Sequence, residues 1–532
     1  MAESDLAFAM ARQLAAWGVE AVFGVTGDDL LPFLDALARA GGIRYIGAAH
    51  ETGAAFMAAA YAELSGGLGV CAASAAGSVN LLAGLAAAGL DRVPVLALTG
   101  QADRAGIGTP AKQYYDQQQA FAGFAAYTEL AADAAGALRL LIRAMSRALL
   151  LGGAAHLSVP KDLWREKVRA EPGGMPAAVT GRRAAGAGDP GHAAALMRAA
   201  KRPLLLVGKA ARGMAEEVRA LASAWGAGVA VAQDAKGVIP DDWPEVVGGI
   251  GEAWTPALVS EADCVLLIGE AGFEQSYLPP APIIQLHTDP ARIDDRYLWD
   301  SLAGGIGELI TGLLGRLAGR QTDPSWPGRI AAAHAERMRL AEADGENEAR
   351  PIHPARLMAA LARTAAADAV IALDEGAFNH WFDRGFIAKS QRVLLSTKWR
   401  SMGYGLPAAI AARVRDDKKQ VIALVGDGGL LMSMGELATA AKYRLALTVV
   451  VVNNRIYGLE MDKTLAGGFE PMGLSLPAVD FARAAEAFGL QGYRVTEPGD
   501  LERILGGAFS RGEPALVDVI CADARLPMAG GG

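Results

Sequence analysis

Cysteine is scarce in this chain: 532 residues include three, Cys71, Cys264 and Cys521. They form no CxxC pair and no His/Cys cluster, so neither a disulfide framework nor a zinc site is indicated. Three buried thiols in a reducing cytoplasm is the plain expectation. Long apolar runs are missing as well. No stretch reaches ~18 residues without a charge or a polar break, which excludes a conventional membrane-spanning helix. Met1 to Leu14 carries Glu3, Asp5 and Arg12 and lacks the basic-then-apolar plan of a signal peptide. Nor is there an excess of positive charge: 50 Lys and Arg face 58 Asp and Glu, a net charge of −8. That argues against nucleic acid or an anionic membrane as the main partner. The expectation is a soluble, cytoplasmic protein acting on a small molecule.

What is present is apolar material for several cores, 52% of the residues. The length suggests about three domains of roughly 150 residues. Three α/β blocks can be read. The first covers residues 1–165, with a helical period over Leu6 to Trp17 and strand-like Ala21 to Val25 and Ala155 to Val159. The second covers 191–318, with strand signals at Pro203 to Val207, Val229 to Ala232, Cys264 to Ile268 and Ile283 to Leu286. The third covers 355–525, with Ala369 to Leu373, Val421 to Val425, Leu447 to Val452 and Ala515 to Val519. Residues 166–190 and 321–354 read as linkers, the second partly helical, and 527–532 as a flexible tail. Short apolar strands alternating with helices mean parallel sheets covered on both faces. The fold class is therefore α/β, three doubly wound parallel-sheet domains. The first and third blocks look alike in plan.

One constellation carries chemistry. Strand Val421 to Val425 runs into Gly426-Asp427-Gly428-Gly429, then a helix-like stretch from Ser433 to Tyr443. Strand Leu447 to Val452 follows and ends in Asn453-Asn454. This is one βαβ unit, and loops at the carboxyl ends of neighbouring parallel strands converge. Asp427 and Asn454 can meet there. Mg²⁺ takes about six oxygens, commonly a carboxylate, phosphate oxygens and water. Asp427 offers the charge and Asn454 a neutral oxygen, while the glycines let backbone approach a phosphate. A lone Gly-Asp-Gly would be an ordinary turn. Its pairing with Asn-Asn at the next strand end is far more specific.

The segment resembles the cofactor motif of the thiamine-diphosphate (ThDP) family of 2-oxo-acid decarboxylases, acetolactate synthases and pyruvate oxidases. The resemblance implies a Mg²⁺ held by Asp427, Asn454 and the carbonyl of Ile456. It extends over nearly the whole chain. Ala49-His50-Glu51-Thr52-Gly53-Ala54-Ala55 is similar to the family's glutamate motif, so Glu51 would hydrogen-bond N1′ of the aminopyrimidine. Val22 to Gly27 is similar to the loop that holds Thr26, with Thr where the family has Pro. Ser74 to Leu81 resembles the loop carrying Ser74 and Asn80. Asp374-Glu375-Gly376, followed by Ala377, and Ser401 to Pro407 match loops that hold diphosphate and thiazolium. The cofactor set this implies is Glu375, Gly376, Ala377, Ser401, Met402, Gly426, Gly428, Gly429 and Tyr457, with Met402 the apolar wedge. Gln113 matches an active-site glutamine. Glu51 and Asp427 sit in different blocks, which the family places on different subunits. A homodimer or homotetramer with sites between subunits follows from the resemblance.

The implied reaction is decarboxylation of a small 2-oxo acid, with transfer or oxidation of the resulting enamine. Residues 200–297 resemble the middle domain of pyruvate oxidases and acetolactate synthases, which often carries FAD. His287-Thr288-Asp289-Pro290 and Gly269-Glu270 depart from the flavin pattern, so FAD stays open. Thr397-Lys398-Trp399-Arg400 is unusual for the family, and Lys398, Arg400 and Glu460 are candidates for reaching the substrate. Two alternatives stand beside this reading. One is a simple ThDP decarboxylase or C–C lyase, although seven histidines are few for the histidine-rich pockets of such enzymes. The other is a nucleotide-binding homologue without catalysis.

Overall fold

The structure, a computed structural model, describes residues 3–176, 179, 188–250, 256–270, 278–293, 298–320 and 322–524. Most of the first expected linker beyond 176, and the tail at 527–532, lie outside the described residues.

Three six-stranded sheets form the frame, each parallel throughout. The first runs Arg44–Gly47, Ala21–Gly24, Gly69–Ala73, Val95–Gln101, Ala154–Pro160, Ala125–Leu130. The third runs Arg392–Leu394, Val370–Leu373, Val421–Gly426, Thr448–Asn453, Ala515–Ile520, Gln491–Val495. Numbered within each sheet, both read 2-1-3-4-6-5. The likeness in plan is thus a duplicated topology. The middle sheet reads 3-2-1-4-5-6, the order of dinucleotide-binding folds.

Strand residues alternate between two cores, as a sheet buried on both faces requires. Phe23 and Cys71 face one core, Val22 and Val70 the other. Ala423 and Val425 share that first core with Phe23, while Ile422 and Leu424 face a separate one. One continuous core therefore joins the first and third sheets. Helices Glu51–Ser65 and Gly405–Arg415 lie in it, each following the second strand of its own sheet. Phe56 meets Tyr404 edge-on there, ring centres 5.6 Å apart.

Two expectations gain detail. The helix expected over Ser433 to Tyr443 is Glu436–Lys442, and a separate helix the sequence did not announce, Asp427–Ser433, precedes it. That earlier helix begins at the aspartate itself, and Met434-Gly435 separates the two, where a β-carbon on Gly435 would lie 3.2 Å from the Ala49 methyl. The second expected linker contains one 20-residue helix, Trp326–Gly345. Trp326 and Ile330 anchor it in the core of the middle sheet, and Arg337 pairs with the buried Asp241 at 3.0 Å. Its low mean apolar content concealed a narrow but well-anchored buried face. Among the described residues no helix is long and apolar enough to cross a membrane.

Candidate active site

In the third sheet the strand order reverses between Val370–Leu373 and Val421–Gly426, and loops leaving such a reversal diverge to leave a crevice. A cleft opens there. It is lined by Glu375 to Phe378, Gly426 to Gly429, and Asn454 with Ile456 to Glu460, together with Arg400 and Met402.

Asp427 is 4% exposed. Its carboxylate accepts the N–H of Arg455 at 2.5 Å and of Gly428 at 2.8 Å. Burial pushes its pKa up from 3.8 to about 6, and the two N–H donors pull the other way. Asn454 turns its side-chain oxygen toward the N–H of Ile456, 3.4 Å away. The neighbouring Asn453 is buried and donates to Asp518 at 2.8 Å, so the two asparagines have separate jobs. Gly428 is required by its surroundings: a β-carbon would lie 2.4 Å from the Tyr457 ring and 3.1 Å from the Met402 methyl. Gly429 stands equally close to Asp374, at 2.4 Å.

Asp374, in the Asp374-Glu375-Gly376 loop, has a role that its place in the sequence does not announce. It is wholly buried and accepts the N–H groups of Glu375, Gly403 and Tyr404 at 2.9–3.3 Å. Burial raises its pKa to about 7. It ties the Glu375 loop, the Met402 loop and the glycine loop together.

Asp91 plays the same part for the unusual basic segment. It accepts from the Thr397 hydroxyl at 2.7 Å and the Lys398 N–H at 2.8 Å. Beyond that anchor the two basic side chains part. Arg400, with a left-handed φ of 50°, lies in the cleft 3.3 Å from Glu375. Lys398 reaches away to Glu270 of the middle sheet at 3.7 Å and does not line the cleft. Glu460 is exposed at the cleft rim, 3.9 Å from Lys463. Ser401 adjoins Met402 outside the cleft lining.

The first sheet reverses its order between Ala21–Gly24 and Gly69–Ala73, and Thr26 and Ser74 follow those strands. Asp29 joins the two loops by accepting the Ala75 N–H at 2.7 Å. Glu51 begins the helix after the neighbouring strand and is 8% exposed. Asn80 donates to its Oε2 at 3.1 Å, and the Asn80 carbonyl takes the Thr52 hydroxyl at 2.6 Å. Gln113 sits exposed in a loop with φ of 63°. The structure thus brings Asp427, Asn454, Ile456, Tyr457, Met402, Arg400 and Glu375 together. Glu51, Asn80, Thr26, Ser74 and Gln113 are not among the residues lining that cleft, all of which come from position 354 onward.

Three family models match in sequence order: the N-terminal TPP binding domain of thiamine pyrophosphate enzymes at 4–122, their central domain at 191–313, and their C-terminal TPP binding domain at 374–519. The chain belongs to the thiamine pyrophosphate enzyme family. It is a ThDP-dependent enzyme (thiamine pyrophosphate is the same compound), with the fold expected of that family. A Bacillus subtilis protein named as thiamine pyrophosphate-containing is 33% identical over 98% of this chain and 92% of its own length. A pyruvate oxidase of Lactiplantibacillus plantarum is 30% identical over 98% of this chain and 89% of its own. An acetolactate synthase large subunit of Parasynechococcus marenigrum is 29% identical over 96% and 87%.

The residues present fit a metal-bound diphosphate. Asp427 offers one desolvated carboxylate, Asn454 an amide oxygen and Ile456 a carbonyl. Among the described residues no group of three or more His, Cys, Asp or Glu could hold an ion unaided. An ion here would take its remaining oxygens from a ligand, and a diphosphate carries them.

FAD fits poorly. The reversal point of the middle sheet lies between Pro203–Val207 and Cys264–Ile268. Among the described residues the two loop starts lie close: a β-carbon on Gly208 would lie 2.5 Å from the Glu270 carbonyl. Lys209 pairs there with Asp234 at 3.6 Å, and Glu270 stands within 3.7–3.9 Å of Lys398 and Arg292. A dinucleotide diphosphate needs free donors at this place. Here it would meet a carboxylate and cations already paired.

Proposed function

We propose that the enzyme decarboxylates a small 2-oxo acid using ThDP and Mg²⁺, and passes the remaining fragment to an acceptor, as an acetolactate synthase or a pyruvate oxidase does. The observation that carries this reading is the buried Asp427 carboxylate sharing one cleft with Asn454 at the reversal point of the third sheet. Bound ThDP would supply the electron sink for loss of CO₂. Asp427, Asn454 and the Ile456 carbonyl would hold the ion. Glu375, Gly376, Ala377, Gly426, Gly428 and Gly429 would face the diphosphate, while Ser401, Met402 and Tyr457 would flank the thiazolium. Glu51 would hold a proton at N1′ of the aminopyrimidine, with Asn80 orienting its carboxylate. Thr26, Ser74 and Gln113 would close the pyrimidine side. Arg400, which lines the cleft, would meet a substrate carboxylate, since Lys398 is turned to Glu270.

Within one chain Glu51 is not a wall of the Asp427 cleft. We therefore assign the site to two chains, at least a homodimer, with Glu51 of the partner subunit completing it. Met432, Leu465, Phe469 and Met472, large and exposed on the segments following the cleft loops, supply apolar surface for that contact. The paired charges among the described residues at the middle sheet's reversal point favour transfer to a second carbonyl over flavin-coupled oxidation.

The test is a panel of 2-oxo acids, with and without electron acceptors and ThDP·Mg²⁺, read by product. Acetolactate-type products support transfer, and aldehyde alone supports the simple decarboxylase or lyase. Flavin absorbance in the purified protein with acceptor-dependent turnover would overturn the flavin-free reading. Neither turnover nor ThDP binding would leave a nucleotide-binding homologue.

A further inference from the structure

One buried carboxylate near the site has no part in the chemistry described so far. Glu436, 2% exposed, begins the helix Glu436–Lys442. It reaches across to the first sheet's domain. Its two oxygens accept the N–H of Ala49 at 3.2 Å and of His50 at 3.1 Å. The Thr439 hydroxyl donates to it at 2.6 Å and fixes its rotamer. Ala49 and His50 are the last residues before the Glu51 helix. Gly53, in the first turn of that helix, has no room for a side chain: a β-carbon would lie 2.3 Å from Glu436 Oε1. The carboxylate is therefore pressed against the entry of the helix from two sides.

The contact has a local logic. A helix start leaves its first N–H groups without intrahelical partners, and the residues leading into it need acceptors too. His50 caps the helix with its own ring, taking the Thr52 N–H at 3.2 Å. The N–H groups of Ala49 and His50 are left over, and Glu436 takes both. Bonds from a carboxylate to backbone N–H are roughly twice as strong as neutral ones, and a carboxylate near a helix start also complements its dipole. The side chain next in line is Glu51. Its carboxylate must meet a fixed point on a rigid cofactor ring, so sub-ångström placement matters.

Resting on the ThDP reading above, we infer that Glu436 is a positioning residue for Glu51. It clamps residues 49–50 and so sets where the Glu51 carboxylate stands. It touches neither cofactor nor substrate. The clamp also links the two motifs through hydrogen bonds. Glu436 lies nine positions after Asp427, so the loop that holds the ion leads directly into the residue that holds the glutamate helix.

A control distinguishes positioning from domain adhesion. The Tyr443 hydroxyl accepts the Gly47 N–H at 2.7 Å, another bond between the same two domains. It does not reach residues 49–53. The test compares full-length Glu436→Gln and Tyr443→Phe with the parent. Glu436→Gln keeps one acceptor and presents an amide N–H₂ to a donor where the second oxygen was. Amide hydrogen exchange on the cofactor-free proteins should quicken in Glu436→Gln at the 47–53 segment and nowhere else. With ThDP·Mg²⁺ bound, exchange of the C2 proton and kcat should fall about 100-fold, the scale of an ångström's misplacement. KM and ThDP·Mg²⁺ affinity should stay near the parent's. Tyr443→Phe should leave the C2 exchange rate unchanged.

Should Glu436→Gln fail to fold, Thr439→Val, which only frees the carboxylate to rotate, should show the same pattern at smaller amplitude. Parent-like C2 exchange in the Glu436 or Thr439 variant overturns the inference. So does quickened amide exchange throughout the chain, or a loss of cofactor affinity equal to the loss of kcat. A parent that binds no ThDP would instead refute the functional reading, and the amide exchange would still show whether the clamp exists.

Discussion

Gly77 leaves the space that Glu51 fills: a β-carbon on Gly77 would lie 2.1 Å from Oε1 of Glu51. Neither residue can be understood without the other, because the short helix Ala75–Ser78 passes directly over the carboxylate. Gly77→Ala should therefore push Glu51 off its position without touching the Asp427 cleft. We expect kcat to fall about 100-fold while ThDP·Mg²⁺ affinity holds, by steady-state kinetics and calorimetry. Parent-like kcat would mean that the Glu51 position does not matter.

The Asp427 carboxyl predicts a pH signature. Its folded pKa stands above the unfolded value, at about 6 against 3.8. The cofactor-free folded chain thus keeps a proton that the unfolded chain has already released between those values. Folding stability from this group falls as pH rises through that window, by up to about 3 kcal/mol at neutral pH. Asp427→Asn removes the titration. The Tm difference between variant and parent, both without cofactor, should move in the variant's favour from about pH 4 to about pH 7. Hydrogen bonds lost in the variant add only a constant offset. A difference independent of pH would contradict the assignment.

Arg400 faces the cleft while its neighbour Lys398 faces Glu270. Arg400→Ala should raise KM for the true substrate roughly tenfold or more, the scale of one lost charged contact. ThDP·Mg²⁺ affinity should change little, and Lys398→Ala should change neither. Equal loss of substrate and cofactor binding in Arg400→Ala would place the guanidinium at the diphosphate instead.

The assignment to two chains is testable by mixing. Glu51→Gln and Asp427→Asn chains should each be inactive alone. Unfolded and refolded together, random pairing into two-fold dimers restores one good site in half of the dimers, about a quarter of parent activity. No recovery would mean that both residues serve one site within a chain.

Much of the frame was legible in the sequence, and for stated reasons. Pro203–Val207 and Cys264–Ile268 are short apolar runs between polar breaks, and the observed strands have the same ends. Asp427 and Asn454 were legible as a pair because a βαβ unit forces its two carboxyl-end loops together. The duplicated strand order was visible only as a likeness in plan, since hydrophobic period does not say which strands are neighbours. Glu436 and Asp374 were beyond reach for the same reason. Their partners lie on other loops or in another domain, and no spacing along the chain announces a contact of that kind. Lys398 and Arg400 looked equivalent because their opposite directions depend on the anchor at Asp91 and the left-handed backbone at Arg400. The helix Asp427–Ser433 was missed because its first residues, Asp427-Gly428-Gly429, read as a glycine-rich turn.

Everything proposed for the third sheet's cleft depends on Asp427 anchoring a metal-bound ThDP. The most direct measurement is thermal unfolding of the parent and Asp427→Asn, each with and without ThDP·Mg²⁺ at neutral pH. With cofactor at about 100 times its Kd, the parent should gain about 2.7 kcal/mol and unfold at a higher temperature. Asp427→Asn should show no such rise at the same concentrations. A parent that does not respond, or a variant that responds equally, would contradict the account.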